Sequence, residues 1–360
     1  MAKARPEPEP RPEPRRRPQP QPQTNPNHSP NPNPKTLPHT PINLNPMASE
    51  GGSSSPWLGL IAGAAMGAYG AYTIAKSAGA LHKVDTSQRG YTVVITGSTR
   101  GLGRAMAQEF LTYGDKVVVN GRSLESVART VEELKRAAPD GAEVLGFAAD
   151  VADAAAVQKM ADAAKREFGS IDFWINNAGM SQAPRAALHE TPPATVEKIL
   201  RANLLGALNG ARAAARVMLG QAAGRAGLDT RGLIFFVEGA GSRGGGTPMS
   251  AAYGASKAAL PQLTKSLKKE LRAHNIGVHQ LSPGMVMTDL LLSGSRDNAR
   301  ALKVFNILAE QPESVAKWIV PRIRGVKTLK AEPIRFLTPP GVAYRFLTAQ
   351  SRKDRLVVVP

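Results

Sequence analysis

The chain has 360 residues, with 46 Lys and Arg against 28 Asp and Glu, a formal charge of +18 and no cysteine. Without cysteine there is no disulfide framework, thiolate nucleophile, iron–sulfur cluster or Cys-ligated zinc. His28, His39, His82, His189, His274 and His279 never fall three or four apart, so no metal centre is expected. Catalysis must then rest on hydroxyls, phenols, amines, carboxylates or a bound organic cofactor.

Residues 1–50 hold 15 of the 29 prolines and almost no apolar side chains. No core can offset the entropy of ordering such a stretch. Residues 1–56 are therefore expected to be a disordered, polyproline-II-leaning tail, which also reads as a candidate targeting region, with Met47 a second candidate start. Trp57–Ala75 is a run of 19 residues without a charge, just enough to cross a bilayer as a helix. Gly59, Gly63 and Gly67 repeat at the spacing that lets membrane helices approach closely. The alternative for residues 57–81 is a Gly/Ala-rich helix lying on a protein surface.

After Gly90 the pattern becomes strand and helix in turn. Strands are expected at Tyr91–Thr96, Val117–Val119, Val144–Ala148, Asp172–Ile175, Leu233–Val237, Val278–Leu281 and Ile334–Thr338. Helices are expected at Leu102–Tyr113, Leu124–Ala137, Ala154–Phe168, Val196–Leu219, Ala251–Ala273 and Glu313–Arg324. Such alternation specifies an α/β fold, a doubly wound and mostly parallel Rossmann sheet forming one catalytic domain over residues 90–338. Residues 339–360 read as a basic tail.

The first strand runs into Thr96-Gly97-Ser98-Thr99-Arg100-Gly101-Leu102-Gly103 and then a helix. Glycines there let a pyrophosphate approach the backbone and sit on the positive helix end. Asn176-Asn177-Ala178-Gly179 follows the fourth strand, and Tyr253-Gly254-Ala255-Ser256-Lys257 opens a later helix. Tyr253 and Lys257 are four apart and share a helix face. An ammonium beside the phenol is expected to lower its pKa, fitting Tyr253 to give a proton to a carbonyl oxygen.

Together these motifs resemble the short-chain dehydrogenase/reductase family over residues 91–338. The resemblance implies that Lys257 also holds a nicotinamide ribose and that Asn203 steadies a water beside it. It implies cofactor contacts from Gly97, Ser98, Arg100, Gly101, Leu102, Gly103, Asn177, Ala178, Gly179, Pro283, Gly284 and Val286, with Asp150 on the adenine and Thr288 on the nicotinamide amide. The family's carbonyl-polarising serine stands thirteen residues before the tyrosine, where this chain has Ala240. Ser242, two residues later, is the preferred substitute, with Glu238 the other candidate. Asn120-Gly121-Arg122 ends the second strand without a carboxylate for a ribose 2′-hydroxyl, whereas Arg100 and Arg122 suit a 2′-phosphate, so NADPH is expected.

Gly239–Ser242, Leu281–Gly294, Ile307–Arg324 and Ile334–Thr338 resemble the chlorophyll(ide) b reductase branch of that family, in its short, non-yellow-coloring-like form. That implies reduction of the 7-formyl group of chlorophyll b or chlorophyllide b to 7-hydroxymethyl, in the chloroplast at the stromal side of the thylakoid membrane. Met285, Val286, Met287, Leu290, Leu291 and Leu292 would line a broad apolar mouth. From Ser293 onward there are 13 basic and 5 acidic residues, which suits an anionic membrane or antenna-protein surface. A homo-oligomer, or a hetero-oligomer with a related reductase, is also expected, and nucleic acid is not. The alternatives are a plastid reductase of another carbonyl, ketoacyl or steroid-like, and a weakly catalytic scaffold that docks a partner reductase.

Overall fold

Among the described residues, short Val-, Ile- and Phe-rich runs make nine strands: Thr92–Ile95 (β1), Lys116–Gly121 (β2), Val144–Ala148 (β3), Phe173–Asn176 (β4), Gly232–Val237 (β5), Ile276–Ser282 (β6), Met285–Val286 (β7), Ala309–Glu310 (β8) and Ile334–Arg335 (β9). The computed structural model that contains them describes residues 90–295 and 298–358. The expected tail at 1–56 and the hydrophobic segment at 57–81 lie outside the described residues. Among the described residues no helix is long and apolar enough to cross a membrane.

Seven strands form one parallel sheet in the order β3-β2-β1-β4-β5-β6-β9, while β7 pairs only with β8. The helices are Gly101–Thr112 (α1), Leu124–Ala137 (α2), Ala154–Phe168 (α3), Pro193–Leu200 (α4), Gly206–Leu219 (α5), Ala251–Arg272 (α6), Asp289–Leu292 (α7), Ala299–Leu308 (α8), Pro312–Arg324 (α9) and Pro339–Leu347 (α10). The strands read as continuous apolar runs because both faces are covered. Val93, Ile95, Phe173 and Phe235 pack with α1 and α9. Their strand neighbours Val94, Trp174, Ile234 and Phe236 pack with α3, α5 and α6, as a period of two requires. Strand order reverses between β1 and β4, which opens a crevice at their carboxyl ends.

Local chemistry sets the helix ends. Asp153 caps α3 by accepting from the amides of Ala155 and Ala156 at 2.9 and 3.0 Å, and Gly169 ends it in a left-handed turn at φ 80°. The expected single helix Val196–Leu219 starts earlier, at Pro193, and carries a π turn at Arg201–Leu205. Ile334–Thr338 shortens as a strand because Thr338 turns to cap α10, accepting from the Gly341 amide at 3.3 Å.

Within the expected basic tail, residues 339–358 carry α10, and their arginines find a carboxylate. Arg345, Arg352 and Arg355 reach Glu310 at 3.2, 2.7 and 2.8 Å. Burial pushes the Glu310 carboxyl up, but hydrogen bonds from Arg355 and Arg352 outweigh it and leave the group below its ordinary value. Asn306 also holds the segment, accepting from the Leu356 and Val357 amides at 2.8 and 3.0 Å. At the opposite ends of the strands, Asp115 pairs with Arg324 at the end of α9, both fully buried. The Arg324 guanidinium lies 5.0 and 4.7 Å from the ring centres of Tyr91 and Tyr113.

Candidate active site

The turn between β1 and α1 is built to bring backbone close to a ligand. Gly97 and Gly101 have φ of +64° and +55°, which side-chain-bearing residues rarely adopt. At Gly103 a Cβ would stand 2.5 Å from both the Asn177 amide nitrogen and the Gly97 carbonyl. Asn177 Nδ2 donates to the Thr96 and Gly97 carbonyls at 2.9 and 3.1 Å, and the Asn177 and Ala178 amides both donate to Thr96 Oγ1 at 3.0 Å. Asn120 accepts from the Gly97 amide at 3.2 Å and donates to the Phe147 and Ala149 carbonyls at 3.2 and 3.1 Å. The sequence pattern marks Asn120 only by the carboxylate that is missing there, yet it ties the turn to β3. No side chain caps α1, so its first amides are left for a ligand. This donor set fits a pyrophosphate.

The expected cofactor residues divide by what they touch. Ser98 is fully buried, donating to the Ile95 carbonyl at 2.7 Å and accepting from the Asn120 amide at 3.0 Å. Its hydroxyl therefore locks the turn and does not face a ligand. Leu102 is buried in the core beneath α1. Arg100 and Arg122 are exposed, and Arg100 pairs with Asp289 at 3.3 Å. The exposed Asp150 accepts from the Ala152 amide at 2.9 Å. Thr288, just before α7, lies opposite the glycine turn: a Cβ on Gly101 would sit 3.1 Å from its methyl. Gly284, after Pro283, turns at φ +72° against Leu337, and Val286 packs against the core from β7.

Tyr253 and Lys257 project from the first turns of α6 toward the end of β5. Gly239 leaves space there, since a Cβ would collide with the Tyr253 hydroxyl and lie 3.2 Å from Lys257 Cγ. Lys257 is buried and donates to the Val237 carbonyl at 3.1 Å. Burial lowers its pKa to about 8, while the carboxylate of buried Glu238 works against that fall. The Tyr253 phenol behaves contrary to expectation. Burial pushes it up to about 12, and the cation that pulls it back is Arg185. Lys257 instead directs its ammonium to the Val237 carbonyl.

Asn203 lies on the π turn, a distortion that often marks functional sites. Its side chain accepts from the Met180 amide at 2.8 Å and donates to the Met180 carbonyl and Ser256 Oγ at 2.9 Å each. Gly179 is the meeting point: a Cβ there would be 3.2 Å from Asn203 Oδ1 and 3.6 Å from Lys257 Nζ. Ser242 does turn inward, but it donates to the Lys257 carbonyl and accepts from the Gly239 amide, both at 3.1 Å. A hydroxyl has one proton to give, and here that proton fastens the loop to α6. His189 is exposed, 3.8 Å from Glu190.

Arg185 is the residue sequence reasoning missed, and no motif marks it. It belongs to a loop tied to the start of α6, where Gln182 Nε2 and the Ala186 amide donate to the Met249 carbonyl at 3.0 and 3.2 Å. The whole arrangement provides a phosphate-binding turn, a phenol that keeps its proton at neutral pH and a buried ammonium. It can deliver a proton to an oxygen held beside a dinucleotide.

A family model described as short chain dehydrogenase matches residues 91–299. "Probable chlorophyll(ide) b reductase NYC1, chloroplastic" of Oryza sativa subsp. japonica is 43% identical over 277 residues, covering 73% of this chain and 53% of that protein. "Chlorophyll(ide) b reductase NOL, chloroplastic" of Arabidopsis thaliana is 42% identical over 255 residues, covering 69% of this chain and 70% of that protein. The chain thus spans about half the length of the first of these relatives. Among solved structures, a metagenomic short-chain oxidoreductase in complex with NADP aligns with a TM-score of 0.53 at 25% identity, covering 69% of this chain and 96% of that one. A 3-oxoacyl-(acyl-carrier protein) reductase from Brucella melitensis in complex with NAD gives 0.58 at 23% identity, covering 66% and 91%, a likeness of fold alone.

Proposed function

The chain belongs to the short-chain dehydrogenase/reductase family, and from that premise we propose that it reduces the 7-formyl group of chlorophyll b or chlorophyllide b to 7-hydroxymethyl, using NADPH, in the chloroplast. The observation that carries this reading is the 42–43% identity, over about 70% of the chain, to proteins named chlorophyll(ide) b reductase. Met285, Met287, Leu291 and Leu292, which flank Thr288 in the chain and pack with α8, give that neighbourhood the apolar, adaptable character a broad, flat substrate would suit.

Gly97, Gly101, Gly103 and the open amides of α1 would hold the pyrophosphate, while Gly179, Lys257 and Thr288 would hold the nicotinamide end. The bound dinucleotide supplies a hydride to the formyl carbon. Tyr253 supplies the proton to the formyl oxygen, so one aldehyde takes up one hydride and one proton. Lys257, as an ammonium, would hold the ribose. Ser242 can polarise the carbonyl only by releasing the Lys257 carbonyl; held as it is, it ties Gly239 to α6.

The test is direct. Purified protein with NADPH should convert the absorption spectrum of chlorophyllide b to that of its 7-hydroxymethyl product. An unchanged spectrum, with other aldehydes or ketones reduced, would leave the family and remove the substrate.

Cofactor choice gives a second expected result. A charged hydrogen bond to a 2′-phosphate is worth roughly tenfold or more in binding. Arg122→Ala should lower the ratio of NADPH to NADH efficiency by about that factor. Arg100→Ala should lower it less, because a phosphate must compete with Asp289 for that guanidinium. Equal efficiencies with the two cofactors in the unaltered protein would exclude NADPH selection.

The pH profile gives a third. Tyr253, pushed up to about 12, stays protonated throughout the working range. Lys257 loses its charge as pH rises through about 8, so turnover should fall on the alkaline side there. Glu238 favours the charged ammonium, so Glu238→Gln should move the fall to lower pH. A profile flat beyond pH 9, or an unmoved limb in the variant, would remove Lys257 from this role.

A further inference from the structure

Beyond the sheet, α7, α8 and the end of the chain enclose a small core of their own, made by Leu302, Phe305 and Ala309 with Met287, Leu291, Leu292, Leu356 and Val357. Large apolar side chains on its outside remain uncovered. Leu290 is 39% exposed, Phe346 48%, Leu347 73% and Val358 78%. Leu290 and Val358 adjoin, in sequence, residues packed inside this core. Phe346 and Leu347 end α10, which packs on α8. Exposed Phe and Leu side by side at a helix end are what an interfacial anchor presents to lipid.

The charge around them is mainly positive: Asp289 on α7 pairs with Arg100 at 3.3 Å, and Asp354 stands beside Lys353. Arg300 and Lys303 are exposed on α8, and Lys353 is exposed just after α10. None of the three has an ion pair among the described residues. Glu310, the acid nearest this core in the chain, is taken up by three arginines. Exposed cations beside exposed apolar side chains match an anionic bilayer, whose headgroups take the charges while its acyl region takes the rings and methyls. A second copy of this chain would bring the same cations face to face, which disfavours a symmetric contact.

We infer that the cap formed by α7, α8, α10 and residues 349–358 docks on an anionic lipid surface, with Phe346 and Leu347 inserted among the acyl chains and Arg300, Lys303 and Lys353 on the headgroups. The inference rests on the proposed reaction only for its purpose: α7 follows Thr288, which lies opposite the glycine turn, so the cap adjoins the site that a substrate with a hydrocarbon tail must reach from lipid. Each cation contributes roughly a fivefold gain in vesicle partitioning at low ionic strength.

The absence of cysteine permits a local readout on the full chain. Leu347→Cys carrying a polarity-sensitive fluorophore should shift to the blue on vesicles of phosphatidylglycerol mixed with phosphatidylcholine. It should shift far less on phosphatidylcholine alone, and added salt should reverse the change. The same label at Leu124, 74% exposed on α2 beside the opposite edge of the sheet, should not respond. Charge reversal by Arg300→Glu with Lys303→Glu should weaken the Leu347 response more than tenfold. No shift at Leu347, equal shifts at both sites, a shift that follows protein concentration without lipid, or one that requires a solubilised antenna protein would each overturn the proposal. Failure to reduce chlorophyllide b, with the vesicle response intact, would remove the proposed substrate and leave the docking surface standing.

Discussion

Tyr253→Phe should lower kcat for aldehyde reduction by about 10²- to 10⁴-fold, the usual contribution of a positioned proton donor. The ring keeps its place against Gly239, and Lys257 keeps its bond to the Val237 carbonyl, so cofactor affinity and thermal stability should change little. The expected pattern is a fall in kcat with KM for NADPH held. A variant that retains most of its activity would show that the proton comes from elsewhere. The resting phenol is a weaker acid than the sequence argument supposed, because desolvation wins over any neighbouring charge. Bringing its proton to the carbonyl is therefore a task for the assembled complex, in which the substrate oxygen accepts the hydrogen bond before transfer.

The largest effect on stability should come from the far ends of the strands. Arg324→Met leaves Asp115 buried without its counter-charge, and breaking a buried pair from one side costs about 3–5 kcal/mol. Burial already drives the Asp115 carboxyl up to about 6 with the guanidinium in place. Adding Asp115→Asn to Arg324→Met should restore much of the loss, since asparagine still accepts from the Tyr91 amide, 3.1 Å away in the native protein. Thermal or urea unfolding of the single and double variants checks this. A double variant no more stable than the single one would mean that packing of Arg324 between Tyr91 and Tyr113 carries the energy, not charge.

Elements with a strong local signal were legible in the sequence. Leu124–Ala137, Val144–Ala148 and Ala154–Phe168 appear with the boundaries read from apolar spacing, helped by the caps Ser123 and Asp153. Elements held by distant partners were not. Strands β7 and β8 are two residues long and exist only by pairing with each other. Helix α10 has no local mark that sets it apart from a basic tail, because what fixes its Arg345 is Glu310, far back in the chain. The motif residues Tyr253, Lys257, Asn203 and Gly179 do converge, because each stands at a fixed place on the sheet scaffold. Electrostatics were less legible: that Lys257 would turn to the Val237 carbonyl, and that the charge of Arg185 would act on Tyr253, depend on loops with no periodicity. Ser242 shows the same limit, since spacing brought it inward but could not say which acceptor takes its proton.

The π turn at Arg201–Leu205 amounts to one residue too many in an otherwise regular helix. Each residue of an α-helix advances the phase by about 100°. Ahead of the turn, Ile199 is the buried residue; beyond it, Gly210 must face Trp174 and Asn176 so closely that a Cβ would strike them. Deleting one residue would give a smoother helix, yet one half would then rotate by about 100° against the other. Either Asn203 would leave Met180 and Ser256, or the Ala207, Ala211, Ala214 and Met218 stripe would leave its core. The count of residues, and not only their kinds, is thus a determinant of the site: a length change of one in this helix is more damaging than most substitutions along it.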